Sequence, residues 1–160
     1  MRFFFFGTLM DADVRALVLG RAMPADAIGP ATILGFRRVF VADRSYPMLT
    51  PERRGRVDGL LAHGLDGAAK ARIGHFEGDE YRFEARAVCL AGGASTDALV
   101  AMARKGVVPS RRSWGLVPWQ RRHKRVFLRA LSGRTRMWTG RQGASQGTQG
   151  RVTSFEGENG

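Results

Sequence analysis

The chain has 160 residues, of which 44% are apolar and 25% are charged, proportions that are typical of a globular protein. This length predicts one domain rather than two, and no run of eighteen apolar residues occurs that would predict a transmembrane helix. The net charge of +12 is unevenly placed: residues 1–103 carry thirteen Lys and Arg against twelve Asp and Glu, whereas residues 104–160 carry thirteen against two.

The first forty residues predict a strand, a helix and a second strand. Residues 2–6 form a short apolar run that indicates a buried strand. Asp11 is a typical N-cap, and apolar residues at helical spacing follow it until Gly20 ends the pattern. Residues 31–42 are rich in β-branched and aromatic side chains, which predicts a strand that bends at Gly35.

The middle of the chain predicts a second unit of strand, helix and strand. Residues 43–55 contain two prolines and a charged triplet, so we expect a loop or a hairpin connection there. Residues 56–65 predict a strand, after which Asp66 is expected to cap a short helix. Residues 81–91 alternate apolar and charged side chains, the pattern of a half-buried strand.

Two further helices are expected in the remaining part. Residues 95–105 predict a capped helix that ends in basic residues. Residues 118–131 predict a helix with one apolar stripe, formed by Trp119, His123, Val126, Phe127 and Ala130.

Strands separated by short helices, without regular βαβ alternation, predict an α+β domain over residues 1–135. Residues 111–135 are expected to form a basic helical extension of this domain. Residues 140–160 are rich in Gly, Gln and Ser and lack periodicity, so we expect a disordered tail. The lone Cys89 excludes an internal disulfide and favours a reducing compartment, for which the cytoplasm is the default.

The first segment with possible chemistry joins the first strand to the first helix. It consists of Phe6, Gly7, Thr8 and Leu9. A glycine at this point lets the backbone turn tightly and lets a ligand approach closely. The N–H groups near a helix start also suit a carboxylate or phosphate. The alternative is a connection that simply needs a glycine.

The second segment, residues 75–81, links the second helix to the strand that follows. Glu77 lies between Phe76 and a glycine, where apolar neighbours would raise its pKa towards the range that is useful for proton transfer. The alternative is a solvated acidic turn, which we expect for Asp79 and Glu80. His75 is expected to be a surface or capping residue.

Four short motifs follow one another along the chain. They are Gly7-Thr8-Leu9 after an aromatic strand, Tyr46-Pro47 in the middle connection, Val57-x-Gly59 at the start of a strand, and Phe76-Glu77-Gly78-x-x-Tyr81. The ordered set resembles the γ-glutamylcyclotransferase-like family, also called AIG2-like, over about residues 3–90. Residues 114–124 are similar to a C-terminal extension associated with bacterial members.

This resemblance implies a mixed, barrel-like β-sheet around a cavity, with short flanking helices. It also implies a reaction in which the α-amine of a γ-glutamyl amine or peptide attacks its own γ-carbonyl, giving 5-oxoproline and a free amine. Glu77 takes the role of the general acid/base. The resemblance implies a substrate site that includes Phe6, Gly7, Thr8, Leu9 and Tyr81. Tyr46 and Pro47 are further candidates for substrate binding, and a packed loop is the alternative for these two. No cofactor or metal is implied, and the three histidines form no metal-ligand pattern.

Three positions depart from the family pattern, and they leave other functions open. Phe6 stands where the family usually has tyrosine, Gly74 stands in place of an aspartate, and Phe83 stands in place of an arginine, although Arg82 is adjacent. One alternative is therefore an inactive member that binds a small molecule. Another is a nucleic-acid-binding protein that uses the Arg-rich segment 111–136. No membrane partner is expected.

Overall fold

The computed structural model describes residues 1–134. Its strands are β1 (Phe3–Phe5), β2 (Ile28–Val41), β3 (Pro47–Ala62), β4 (Tyr81–Leu90), β5 (Ser95–Ala103) and β6 (Pro109–Ser113). Its helices are α1 (Ala12–Leu19), α2 (Gly67–Glu77), α3 (Leu116–Arg122) and α4, which comprises residues 124–134. No helix within these residues has the length and apolar character needed to cross a membrane.

Five strands form a closed barrel in the order β3-β1-β5-β4-β2, and β2 pairs with β3 to complete the circle. β1 and β5 are parallel, whereas the other neighbouring pairs are antiparallel. β6 adds to β2 outside this circle. The predicted α+β fold with a mixed, barrel-like sheet is therefore confirmed.

β1 is buried on both faces, which explains its run of four phenylalanines. Phe4 and Phe6 belong to a cluster with side chains from β2, β3, β4 and β5, so they fill the barrel. Phe3 and Phe5 belong to a second cluster, which includes residues of α1, α2 and α3. Gly59 on β3 permits this packing, because a Cβ atom there would lie 2.4 Å from the carbonyl oxygen of Phe5.

Asp11 joins the start of α1 to the C-terminal helices. Its Oδ1 accepts hydrogen bonds from the N–H groups of Asp13 and Val14, as predicted for an N-cap. Its Oδ2 accepts hydrogen bonds from Gln120 at 2.7 Å and Lys124 at 2.8 Å. Burial opposes the ionisation of Asp11, but these bonds outweigh it and hold the pKa below its ordinary value.

The helix predicted for residues 95–105 is wrong, because this segment forms strand β5. β5 lies between β1 and β4, where its backbone completes the hydrogen bonds of both neighbours. Ala98, Val100 and Met102 point into the barrel core, so every second residue faces this core, as in a strand. Over only nine residues, the sequence pattern does not distinguish this period of two from the period of a helix.

Of the two expectations for residues 43–55, a loop or a hairpin connection, the hairpin is present: β3 begins at Pro47, and its first half pairs with β2 in a long hairpin. One other prediction needs correction. The helix predicted for residues 118–131 is interrupted at His123. Val126 is 70% exposed, so the buried stripe consists of Trp119 and Leu131 with the half-buried Phe127. The predicted tail, residues 140–160, lies outside the described residues.

Candidate active site

A cavity of about 220 Å³ lies where β1, the turn after it, α2 and the start of β3 meet. All eight predicted site residues line it. They are Phe6, Gly7, Thr8, Leu9, Tyr46, Pro47, Glu77 and Tyr81. Their chemical roles remain predictions, but the fold brings segments that are seventy residues apart in the sequence to one cavity.

Glu77 is the last residue of α2, and the chain turns sharply after it. Gly78 has φ of +67°, a left-handed conformation that favours glycine, and a 3₁₀ turn then leads into β4. Glu77 is half-buried in the cavity wall, and the burial of its carboxyl raises its pKa from an ordinary 4.5 to about 8. At pH 7 most molecules therefore hold this carboxyl in its neutral form.

The turn after β1 lies opposite α2 across the cavity. Residues Thr8–Met10 form a 3₁₀ turn without a side-chain cap. In the part of the chain that the structure describes, the N–H groups of Thr8 and Leu9 have no hydrogen-bond acceptor. Gly7 is needed for close packing, because a Cβ atom there would lie 2.9 Å from Cγ of Pro47.

Tyr81 links the strand after Glu77 to the opposite wall of the cavity. Its hydroxyl donates a hydrogen bond to the carbonyl oxygen of Pro47 at 3.0 Å. Burial, together with the nearby charge of Glu77, raises the pKa of Tyr81 far above its ordinary value, so this hydroxyl stays protonated. The bond fixes the position of Pro47 next to Gly7.

Glu80 is a residue at the cavity that the sequence interpretation missed. It was expected to belong to a solvated acidic turn, but its Oε2 accepts a hydrogen bond of 2.6 Å from the Tyr46 hydroxyl. The same hydroxyl accepts a hydrogen bond from Nε of Arg44 at 3.2 Å. Burial and the bond to Glu80 raise the pKa of Tyr46. No local pattern indicates this contact, because the two residues are 34 positions apart.

Two of the three departures from the family pattern, Phe6 and Phe83, place apolar side chains in the cavity wall. Phe83 lines the cavity and packs edge-on against Phe3, with ring centroids 5.4 Å apart. Arg82 does not take the place of the missing arginine, because its exposed side chain pairs with Glu84 at 2.6 Å. A Cβ atom at Gly74 would meet only the ring of Phe83, at 3.6 Å.

Helix α4 also contributes to the cavity, which the sequence did not predict. Phe127 and Arg134 are among the lining residues. Phe127 packs edge-on against Phe76 and Trp119, at centroid distances of 6.2 and 5.3 Å. His75, expected at the surface, is exposed and also lines the cavity.

The basic residues of β6 and α3 lie on the outside of the molecule. Arg111, Arg112, Arg121 and Arg122 are exposed. The Arg112 guanidinium lies 5.2 Å from the ring centroid of Phe40. Nucleic-acid binding by this face stays a prediction, and Arg136 lies outside the described residues.

Comparisons with known proteins agree with this fold. AIG2-like protein A of Arabidopsis thaliana is 27% identical over 132 residues, which cover 78% of this chain and 75% of that protein. The solution structure of another Arabidopsis thaliana protein has a TM-score of 0.61 at 25% identity, and the match covers 81% of this chain and 86% of that one.

A structure named gamma-glutamyl cyclotransferase shares the fold, with a TM-score of 0.52 at 11% identity over 64% of this chain and 66% of that one. The family model described as gamma-glutamyl cyclotransferase, AIG2-like matches residues 3–120. This match spans most of the described residues, including the turn after β1 and Glu77. The chain therefore belongs to the gamma-glutamyl cyclotransferase, AIG2-like family.

Proposed function

We propose that this protein converts a γ-glutamyl amine or peptide into 5-oxoproline and a free amine. The observation that carries the proposal is Glu77, a carboxyl with a pKa of about 8 that shares a cavity with the Gly7–Leu9 turn. A general acid/base works best when its pKa is near the working pH. The same group can then accept a proton in one step and return it in the next.

The substrate carries its own nucleophile, so the protein has to fold it and move protons. The ionised Glu77 removes a proton from the α-ammonium, and the free amine attacks the γ-carbonyl carbon to form a five-membered ring. Glu77 then gives its proton to the leaving nitrogen, the γ-amide C–N bond breaks, and Glu77 takes a second proton from the ring nitrogen and passes it to the released amine. Two of the three ammonium protons end on the released amine, and one remains on the lactam nitrogen.

The turn after β1 supplies the groups that hold the substrate. The N–H groups of Thr8 and Leu9 are available to a carboxylate or to the carbonyl oxygen on which negative charge develops. Tyr81 keeps Pro47 against Gly7, so the wall opposite Glu77 has a fixed shape. Holding the α-amine close to the γ-carbonyl carbon in this way lowers the entropic cost of the cyclisation.

The size of the cavity favours a small substrate. Its volume of about 220 Å³ is below the range of about 300–1,000 Å³ that is typical of pockets for drug-sized ligands. We expect a folded γ-glutamyl unit to occupy this space, so the room that remains should limit the size of the leaving amine.

The first test is a direct assay of 5-oxoproline release. We expect wild-type protein to release it from a panel of γ-glutamyl amines and dipeptides, with kcat/KM rising about tenfold per pH unit between pH 5 and pH 7, because ionisation of Glu77 limits the rate below its pKa. Absence of turnover for every compound would favour the inactive, small-molecule-binding alternative. A rate that is flat over this pH range would exclude Glu77 as the base.

A second prediction concerns the contact between Gly7 and Pro47. Gly7→Ala places a Cβ atom 2.9 Å from Cγ of Pro47, so the turn or the proline must shift. We expect kcat/KM to fall about tenfold or more, since a shift of about 1 Å at a catalytic site costs up to about a hundredfold. The control is Gly29→Ala on β2, where an added Cβ meets nothing within 4 Å. Equal rates in the two variants would contradict the role of the turn.

A further inference from the structure

Arg38 lies directly behind the turn that faces Glu77. It projects from β2, and its Nη1 donates a hydrogen bond of 2.6 Å to the carbonyl oxygen of Phe6. Its Nε donates to the carbonyl oxygen of Trp114 at 3.3 Å, and the guanidinium lies 5.0 Å from the centroid of the Trp114 ring. The Arg38 side chain is therefore held in one place by contacts on several sides.

Because the peptide between Phe6 and Gly7 is planar, the contact of the Phe6 carbonyl with Arg38 also fixes the direction of the Gly7 N–H. In a trans peptide the C=O and the following N–H point in opposite directions. Because the Phe6 carbonyl points to Arg38, the Gly7 N–H points away from Arg38. Phe6 and Gly7 line the cavity, whereas Arg38 is not among its lining residues. The Gly7 N–H thus lies on the cavity side of the turn.

The charge of Arg38 also strengthens this donor. A hydrogen bond from a guanidinium is stronger than one between neutral groups. It polarises the Phe6–Gly7 peptide, and hydrogen-bonded chains reinforce one another in a low dielectric. A preformed donor of this kind is most effective where negative charge develops during a reaction. In the proposed cyclisation, that atom is the oxygen of the γ-carbonyl.

We propose that Arg38 is a positioning residue, which orients and polarises the Phe6–Gly7 peptide so that the Gly7 N–H donates to the γ-carbonyl oxygen of the substrate. This inference rests on the proposed function. It adds to that function a charged residue outside the cavity that affects the chemical step without touching the substrate.

The first experiment compares the kinetics of Arg38→Met, Arg38→Lys and wild type. We expect Arg38→Met to lower kcat about 10- to 100-fold with KM changed less than about threefold, because the interaction strengthens in the transition state. Arg38→Lys keeps the charge and is expected to recover part of kcat. The matched control is Arg37→Gln, the neighbouring residue, whose exposed side chain pairs with Glu52 on the outer surface.

The second experiment tests the Gly7 amide itself and does not need turnover. The probe is 5-oxoproline, because its lactam carbonyl corresponds to the γ-carbonyl of the substrate. When it is added to ¹⁵N-labelled wild type, we expect the NMR signal of the Gly7 amide proton to shift downfield. We expect a smaller shift in Arg38→Lys. If the proposed function is wrong, no 5-oxoproline is released from any substrate, but the shift of the Gly7 amide proton on ligand binding is still seen. The inference is overturned if the ligand leaves the Gly7 proton unchanged in wild type, or if a folded Arg38→Met retains wild-type kcat.

Discussion

Glu77→Gln is expected to lower kcat for 5-oxoproline release by about 10²–10⁴-fold, the contribution that a positioned general acid/base makes in other enzymes. The amide has nearly the same shape as the carboxyl, but it cannot take the proton of the substrate α-ammonium or return it to the leaving nitrogen. KM should change little, since the groups of the turn that hold the substrate are unaltered. The measurement is steady-state release of 5-oxoproline at pH 8, where wild-type Glu77 is about half ionised.

The matched control for this prediction is Glu52→Gln. The Glu52 side chain is 50% exposed, pairs with Arg37 and is not among the residues that line the cavity. It should keep the wild-type rate, so a loss in Glu77→Gln alone isolates the buried carboxyl. A Glu77→Gln rate within tenfold of wild type would remove Glu77 from the mechanism, whatever the substrate.

The same substitution is expected to stabilise the protein at high pH. A buried carboxyl whose pKa rises from 4.5 to about 8 binds a proton more tightly in the folded state. Its favourable contribution is therefore fully present below pH 4.5 and is lost as the pH rises through 8. The loss amounts to at most about 5 kcal/mol, since each pKa unit corresponds to about 1.4 kcal/mol. Glutamine never ionises, so the variant avoids this loss.

We expect the free energy of unfolding of Glu77→Gln to exceed that of wild type by about 2–4 kcal/mol at pH 9, after a cost for burying the amide is subtracted. At pH 4.5 the advantage should disappear. Urea unfolding of both proteins at the two pH values measures the difference, with Glu52→Gln as the control. A difference that is the same at both pH values would show that the Glu77 carboxyl titrates normally.

These two results together would show that the protein keeps an unfavourable carboxyl for its chemistry. The apolar environment that raises the pKa of Glu77 consists of residues such as Phe76 and Phe83, which line the cavity with it. A substitution that removes the burial cost also removes the proton carrier. Activity and stability at alkaline pH are thus expected to change in opposite directions.

Local features of the fold were predicted from the sequence, whereas features that depend on the pairing of distant segments were not. The N-caps at Asp11 and Asp66 and the end of α1 at Gly20 were predicted correctly, because caps and glycine stops act within a few residues. Segment 95–105 was predicted wrongly, because the position of β5 between β1 and β4 decides its conformation. Tertiary pairing of this kind overrides a weak local preference.

The candidate site shows the same division. The motifs around Gly7 and Glu77 were visible in the sequence, and the resemblance to the family indicated that they meet. The bonds from Arg38 to Phe6 and from Tyr46 to Glu80 join residues 32 and 34 positions apart, and no local pattern predicts them. Only the closed barrel brings these pairs together.

The order of the amino acids by itself indicated the α+β class, the family resemblance and Glu77 as the candidate for proton transfer. These features depend on local pattern and on the type of side chain. The tertiary structure decided that β5 is a strand, that α4 reaches the cavity and that burial raises the pKa of Glu77 to about 8. Burial and long-range hydrogen bonds depend on which distant segments pack together, and a chain acquires them only when it folds.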